Sequence, residues 1–254
     1  MRGVIVIPAR LEANRLPRKL LLAETGMPLI CHTVLAAARV RDASGGLFRE
    51  VVVAADAEEI CAAVERLDRE RGIGARAMMT RRDHASGSDR IAEAAAGLSP
   101  EIDAVLNLQG DEPEIDAGEV LALARLFAAS DADIATLVYP VTDLRDRENP
   151  ALVKAALGAG GRALYFSRAD IPFRRDGGST DQSSYGHVGI YLYRRSSLER
   201  FVALPPGKLE LTEKLEQLRA LENGMTIIAR IADSRPPKGI DTREDYDAFL
   251  ARNR

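Results

Sequence analysis

The sequence predicts an α/β protein built on a doubly wound, mostly parallel sheet with a smaller β-rich subregion over about residues 150–205. Three observations predict it. Short continuous apolar runs, the pattern of strands buried on both faces, recur through the first half of the chain. Segments with apolar residues at helical spacing separate them. Beyond the middle the texture changes to closely spaced strand-like runs divided by short turn-rich pieces.

GVIVIPA at 3–9 is the first strand. A loop rich in Arg, Pro and Lys follows, and residues 28–39 then have helical spacing with Pro28 where a first turn tolerates it. The alternation continues with a strand at 50–56, a helix at 57–71, a strand at 75–80, a helix at 88–98, a strand at 104–109 and a helix at 116–129. Strand-like runs occupy 133–141, 151–157, 162–167 and 187–194, and the Gly/Ser-rich stretch 177–184 reads as a mobile loop. A helix over 210–223, a strand over 225–231 and a terminal helix over 243–252 close the chain. There is no internal repeat, and the whole chain of 254 residues is expected to fold as one domain.

Composition removes several functional classes. A net charge of −3, with no basic stripe, argues against a nucleic-acid binder, so a bound nucleotide would be a small molecule. Cys31 and Cys61 form no disulfide framework, and His32, His84 and His187 lack the spacing of a zinc motif. No apolar run approaches the roughly 20 residues that span a bilayer, and the N-terminus does not read as a signal peptide, so the cytoplasm is the expected location and no membrane insertion is expected.

In a doubly wound sheet, ligands sit beyond the carboxyl ends of the strands, so the loops there are searched for chemistry. Residues 8–19, PARLEANRLPRK, concentrate Arg10, Arg15, Arg18 and Lys19 after the first strand. Guanidinium forks and a lysine suit a triphosphate, although charge alone also permits a solvated basic loop. Neither the Walker A pattern nor Gly-x-Gly-x-x-Gly is present, which counts against a nicotinamide oxidoreductase. MTRRDHASGSDR at 79–90 contains a plain helix cap at Ser86 or Ser88. NLQGDEP at 107–113 presents Gln109, Asp111 and Glu112 on a Gly/Pro turn, where Asp111 could be half of a Mg²⁺ site and Glu112 reads as a capping or solvated residue. In GIDTREDY at 239–246, Asp241 with Thr242 opens the last helix and is locally an ordinary cap.

Taken together, P-A-R followed by R-L-P-x-K, the 79–90 segment, NLQGDEP and GIDTRED resemble the cytidylyltransferases that activate 3-deoxy-manno-octulosonate (Kdo). ALYFSR at 163–168, HVGIY at 187–191 and EKLEQLR at 213–219 extend the resemblance over nearly the entire chain, while residues 174–186 match poorly. Two departures are Arg18 in place of the family's usual glycine and Ser88 in place of threonine. The Arg18 change is expected to affect only loop flexibility.

The resemblance implies a sugar-nucleotidyltransferase fold and a Mg²⁺-dependent reaction, CTP plus Kdo giving CMP-Kdo and pyrophosphate, for lipopolysaccharide or capsule synthesis. It implies metal binding by Asp111 and Asp241, catalytic roles for Arg10, Lys19 and Asp111, and nucleotide contacts from Arg10, Arg15, Lys19, Thr80, Arg81, His84, Ser86 and Gln109, some of those at 80–86 through backbone atoms. Acceptor contacts fall to Arg168, His187, Tyr191, Glu216 and Gln217, where Arg168 would pair with the sugar carboxylate. The same residues allow plainer readings: Tyr191 as a core aromatic, and Glu216 and Gln217 on an amphipathic helix that turns them about 100° apart. A homodimer, formed through residues 150–205, is also implied. The rival readings are another acidic acceptor, such as 8-amino-Kdo, a nonulosonate or a phosphonate, and a non-catalytic nucleotide or sugar binder.

Overall fold

The computed structural model describes residues 1–13, 15–175 and 184–253. Its contacts cluster in two compact units, 1–121 with 237–254, and 122–236. Most of the stretch 177–184 lies outside the described residues.

In the first unit, β1 (Gly3–Ala9) is buried at every position, as its unbroken apolar run requires. It is followed by α1 (Leu29–Ala43), β2 (Phe48–Ala55), α2 (Glu58–Arg71), β3 (Ala75–Met79), α3 (Gly87–Ala96) and β4 (Ala104–Asn107). The strands lie in the order β3-β2-β1-β4 and all pair in parallel. Val4 to Ile7 and Val51 to Val53 are fully buried, each such side chain contributing about 1.5–3 kcal/mol of hydrophobic stabilisation. Because the strands are parallel, the loops after β1, β2, β3 and β4 emerge at one edge. Behind them Gly110 fits a tight space: a Cβ there would stand 3.1 Å from the carbonyl oxygen of Pro8.

The division between the units falls inside α4 (Ala117–Ala128). The second unit contains β5 (Ile134–Pro140), α5 (Leu144–Glu148), β6 (Lys154–Leu157), β7 (Ala163–Ser167), β8 (Tyr185–Arg194), α6 (Arg195–Ala203), α7 (Lys208–Glu213), α8 (Gln217–Glu222) and β9 (Ile227–Ile231). Here β5 pairs antiparallel with β8 and parallel with β9, while β6 pairs antiparallel with β7 and β8. The chain then returns to the first unit for α9 (Arg243–Arg252).

Three sequence expectations are corrected. The helix expected over 210–223 is two helices, because Lys214 adopts a left-handed conformation with φ 55° and ends α7. Helix α6 was not foreseen; its Ser197, Leu198 and Phe201 face inward in a short segment that directly continues a strand pattern. Arg18 is also more than a matter of loop flexibility. Its φ of 54° lies in the region glycine enters freely and other residues enter at a cost of about 1–2 kcal/mol.

Candidate functional site

The phosphate-loop candidate leaves β1 and is fixed at its start by the Leu11 amide, which donates to Asp56 Oδ1 at 2.8 Å. Lys19 lies in a single turn of 3₁₀ helix (Lys19–Leu21), with its side chain mostly buried. Its ammonium donates to Asp111 Oδ2, to Asp241 Oδ1 at 2.9 Å and to the Ile240 carbonyl at 3.0 Å. Arg15 Nη2 reaches the other oxygen of Asp241 at 3.0 Å. Thus the two carboxylates expected to hold a metal, far apart in sequence, converge on one cation. Desolvation, the largest single influence on Lys19, lowers its pKa, but Asp111 and Asp241 outweigh it and the net direction is upward.

Local structure shows why Asp241 is available for this. Thr242 is the residue that caps α9, exchanging hydrogen bonds with Asp245, so the Asp241 carboxylate is left to meet Lys19 and Arg15. Ser86 likewise caps α3, its hydroxyl accepting from the Asp89 amide at 3.2 Å. The reading of Glu112 as capping or solvated is corrected. Its Oε2 is buried with no hydrogen-bond partner among the described residues, and desolvation, with Asp111 and Asp241 adding to it, pushes its pKa up to about 8.

A cavity of about 270 Å³ is lined by Arg10, Lys19, Gly87, Gln109, Gly110 and Asp111 among others. A second, of about 530 Å³, is lined by Arg10, Leu11, Glu12, Asp56, Ala57 and Arg82. Arg10 borders both and is exposed, which suits a cation meant for a ligand. Gln109 holds its place through Asn107 Oδ1 at 3.1 Å.

Thr80, Arg81, His84 and Ser86 line neither cavity. The buried Thr80 hydroxyl is spent on the fold, donating to the Ala55 carbonyl at 2.9 Å and accepting from Arg90 Nη1 at 2.6 Å. The His84 ring meets the carboxylate of Glu93, and the Arg81 side chain lies 3.7 Å from Asp83 and Glu93. Sequence reasoning missed Arg82, which borders the larger cavity and donates to the Asp56 carbonyl at 3.0 Å. In a pair of adjacent arginines, nothing local shows which one borders a cavity.

The acceptor candidates all belong to the second unit. Arg168 directs its guanidinium at backbone carbonyls: Nε to Glu213 at 2.8 Å, Nη1 to Pro150 at 3.0 Å and Nη2 to Lys214 at 3.3 Å. Glu213, another residue not singled out from sequence, accepts from the Ser167 hydroxyl and the Arg168 amide. His187 Nε2 lies 2.9 Å from the Thr136 hydroxyl, and burial pushes the His187 pKa down to about 3. The Tyr191 ring packs 5.3 Å from His187, and burial drives its pKa well above the ordinary value. Glu216 is the N-cap residue of α8 and the buried Gln217 is its first residue, so they occupy a helix start instead of the interior of a long helix.

The metal expectation is tested by the donor set. Among the described residues no cluster of three or more His, Cys, Asp or Glu could hold a metal ion. Two hard carboxylates that already converge on one positive charge do fit Mg²⁺, which takes its remaining ligands from water and phosphate.

A family model described as Cytidylyltransferase matches residues 4–227. The chain is 45% identical over 255 residues to a 3-deoxy-manno-octulosonate cytidylyltransferase of Paramagnetospirillum magneticum, covering 98% of this chain and 96% of the relative. It is 42% identical over 259 residues to that of Rhodopirellula baltica, covering 99% and 98%. A solved structure of CMP:2-keto-3-deoxy-manno-octonic acid synthetase complexed with CTP superposes with a TM-score of 0.87, at 35% identity and covering 100% of both chains. A putative glucose-1-phosphate thymidylyltransferase from Bacillus anthracis, 17% identical with a TM-score of 0.66, covers 99% of this chain and 95% of its own and shares the fold.

Proposed function

Since the chain belongs to the 3-deoxy-manno-octulosonate cytidylyltransferase family, we propose that it transfers CMP from CTP to Kdo and releases pyrophosphate. The observation that carries the chemistry is the convergence of Asp111 and Asp241 on Lys19, with Arg10 and Arg15 beside them. The anomeric 2-hydroxyl oxygen of the sugar acid attacks the α-phosphorus, and the bond to the β-phosphate oxygen breaks. Pyrophosphate leaves with the electron pair and the hydroxyl proton passes to solvent.

Arg10, Arg15 and Lys19 neutralise charge that builds on the triphosphate as pyrophosphate departs, and preorganised cations do this without reorganising during the reaction. Gln109 and the 80–86 loop contact the nucleoside, the loop through backbone atoms and through Arg82, which borders the larger cavity. Asp111 and Asp241 would hold Mg²⁺, which when bound would supply concentrated positive charge to the phosphates. Arg168, His187, Tyr191, Glu216 and Gln217 read the acceptor.

We treat the two units as one nucleotidyltransferase domain, because the first is completed only by the C-terminal segment that returns to it. The homodimer reading through residues 150–205 is supported by Leu164, which is 59% exposed on β7. A cytoplasmic role in lipopolysaccharide or capsule synthesis follows from the reaction class; among the described residues no helix is long and apolar enough to cross a membrane.

Pyrophosphate release with CTP, Mg²⁺ and Kdo tests the proposal against ATP, GTP, UTP, a chelator and a control lacking acceptor. Release that requires CTP, Kdo and Mg²⁺ together is expected. Release with a different acidic acceptor but not with Kdo would move the acceptor assignment. Tight CTP binding with no release under any acceptor would leave a nucleotide-binding protein.

A further inference from the structure

We infer that Glu93 is a positioning residue for the nucleotide pocket, acting through the 80–86 loop without touching substrate; this rests on the reading that the first unit binds CTP. Glu93 lies on α3 and its side chain is 36% exposed. Its carboxylate gathers two points of the loop: the Arg81 amide, at 3.4 and 3.3 Å from its two oxygens, and the His84 ring nitrogen Nε2. The His84 carbonyl in turn accepts from Nη2 of Arg10 at 3.4 Å. One carboxylate on a helix is therefore two contacts away from the arginine that borders both cavities.

Arg90, one turn earlier on α3, shows how the work is divided. Its fully buried guanidinium donates to the Thr80 hydroxyl at 2.6 Å and the Arg81 carbonyl at 3.1 Å, and pairs with Asp56 at 3.4 Å. Residues three apart on a helix share a face, so Arg90 and Glu93 hold the Arg81 residue from its carbonyl and its amide. Arg90 sits in the core and its loss would damage folding, because a buried polar group removed from such a network strands its partners. Glu93 is partly exposed, so its loss releases the His84 end of the loop at little cost to the fold. A carboxylate can accept from the amide and the imidazole together. A glutamine keeps one accepting oxygen but turns an N–H₂ toward the second partner.

Glu93→Ala and Glu93→Gln, compared with the unaltered enzyme, test this by calorimetric CTP binding, steady-state kinetics in CTP and in Kdo, and thermal unfolding. The expected result for Glu93→Ala is CTP affinity and KM for CTP weakened about tenfold, the loss of one or two charge-assisted hydrogen bonds. Saturating kcat, KM for Kdo and Tm should stay near the unaltered values, with Glu93→Gln intermediate in CTP affinity. CTP affinity unchanged in Glu93→Ala would overturn the positioning role while leaving the CTP reading intact. A loss spread equally over Tm, kcat and both KM values would overturn it in favour of a general structural role. An unaltered protein that binds no CTP would overturn the reading on which the inference rests.

Discussion

The two units use their polar side chains in opposite ways. In the first, Lys19, Arg10, Arg15, Asp111 and Asp241 stand on loops beyond a parallel sheet, and two of these cations border open cavity space. In the second, the residues expected to read an acceptor are woven into the fold: Arg168 bonds to three carbonyls, His187 to Thr136, and Gln217 is buried at a helix start. The difference teaches that a site for a highly charged ligand is kept ready by clustered opposite charges. Polar side chains placed by internal hydrogen bonds, as in the second unit, are held firmly at the expense of donors left for any ligand.

The sharpest way to break this comparison is Asp111→Asn. Turnover, measured by pyrophosphate release, should fall by about a thousandfold or more, as expected for loss of preorganised charge at the reacting phosphate. Tm should hold, since Lys19 keeps Asp241 and the Ile240 carbonyl; normal turnover would remove Asp111 from the metal assignment. Arg168→Ala should do the reverse and act first on stability. Three carbonyls lose a donor, a destabilisation of about 2–3 kcal/mol visible as a fall in Tm. An unchanged Tm with a raised KM for Kdo would show that Arg168 serves the acceptor more than the fold.

His187 gives a pH signature confined to the second unit. Its folded pKa, pushed down to about 3, lies below the ordinary histidine value of about 6.5, so the unfolded chain binds this proton first. Stability is therefore unaffected above the unfolded value and falls as pH drops between the two, by at most about 1.4 kcal/mol per pH unit. Unfolding curves of the unaltered protein and His187→Gln should diverge only in that window; parallel curves would show that the imidazole protonates freely in the folded state.

The smallest effect is expected at Arg18→Gly. Relief of the left-handed backbone, about 1–2 kcal/mol, is partly offset by about 0.5–1 kcal/mol of glycine entropy. The exposed Arg18–Glu59 pair contributes little. A net gain of up to about 1 kcal/mol should raise Tm by a few degrees; a lower Tm would mean that the Glu59 contact matters more than the backbone.

Much of this protein was legible in its residues. Unbroken apolar runs mark strands covered on both faces, and β1 and β2 lie where those runs fall because burial of such surface has few alternatives. The motifs around Lys19, Gln109 and Asp111 were visible for a related reason: loops after parallel strands must carry the polar groups that face a ligand. Helix α6 was hidden because its apolar positions follow a strand without a break, and the split at Lys214 because no glycine marks the left-handed turn.

Local sequence determined the strand and helix periods of the first unit and the presence of a cationic loop with carboxylates elsewhere. Only the tertiary structure decided that Asp111 and Asp241 meet at Lys19, that Arg82 and not Arg81 borders the larger cavity, and that Glu93 holds the loop between them. Periodicity reports which face of an element is buried, a property of neighbouring residues. Which charges meet depends on contacts between residues as much as 226 positions apart, and these exist only once the chain has closed on itself.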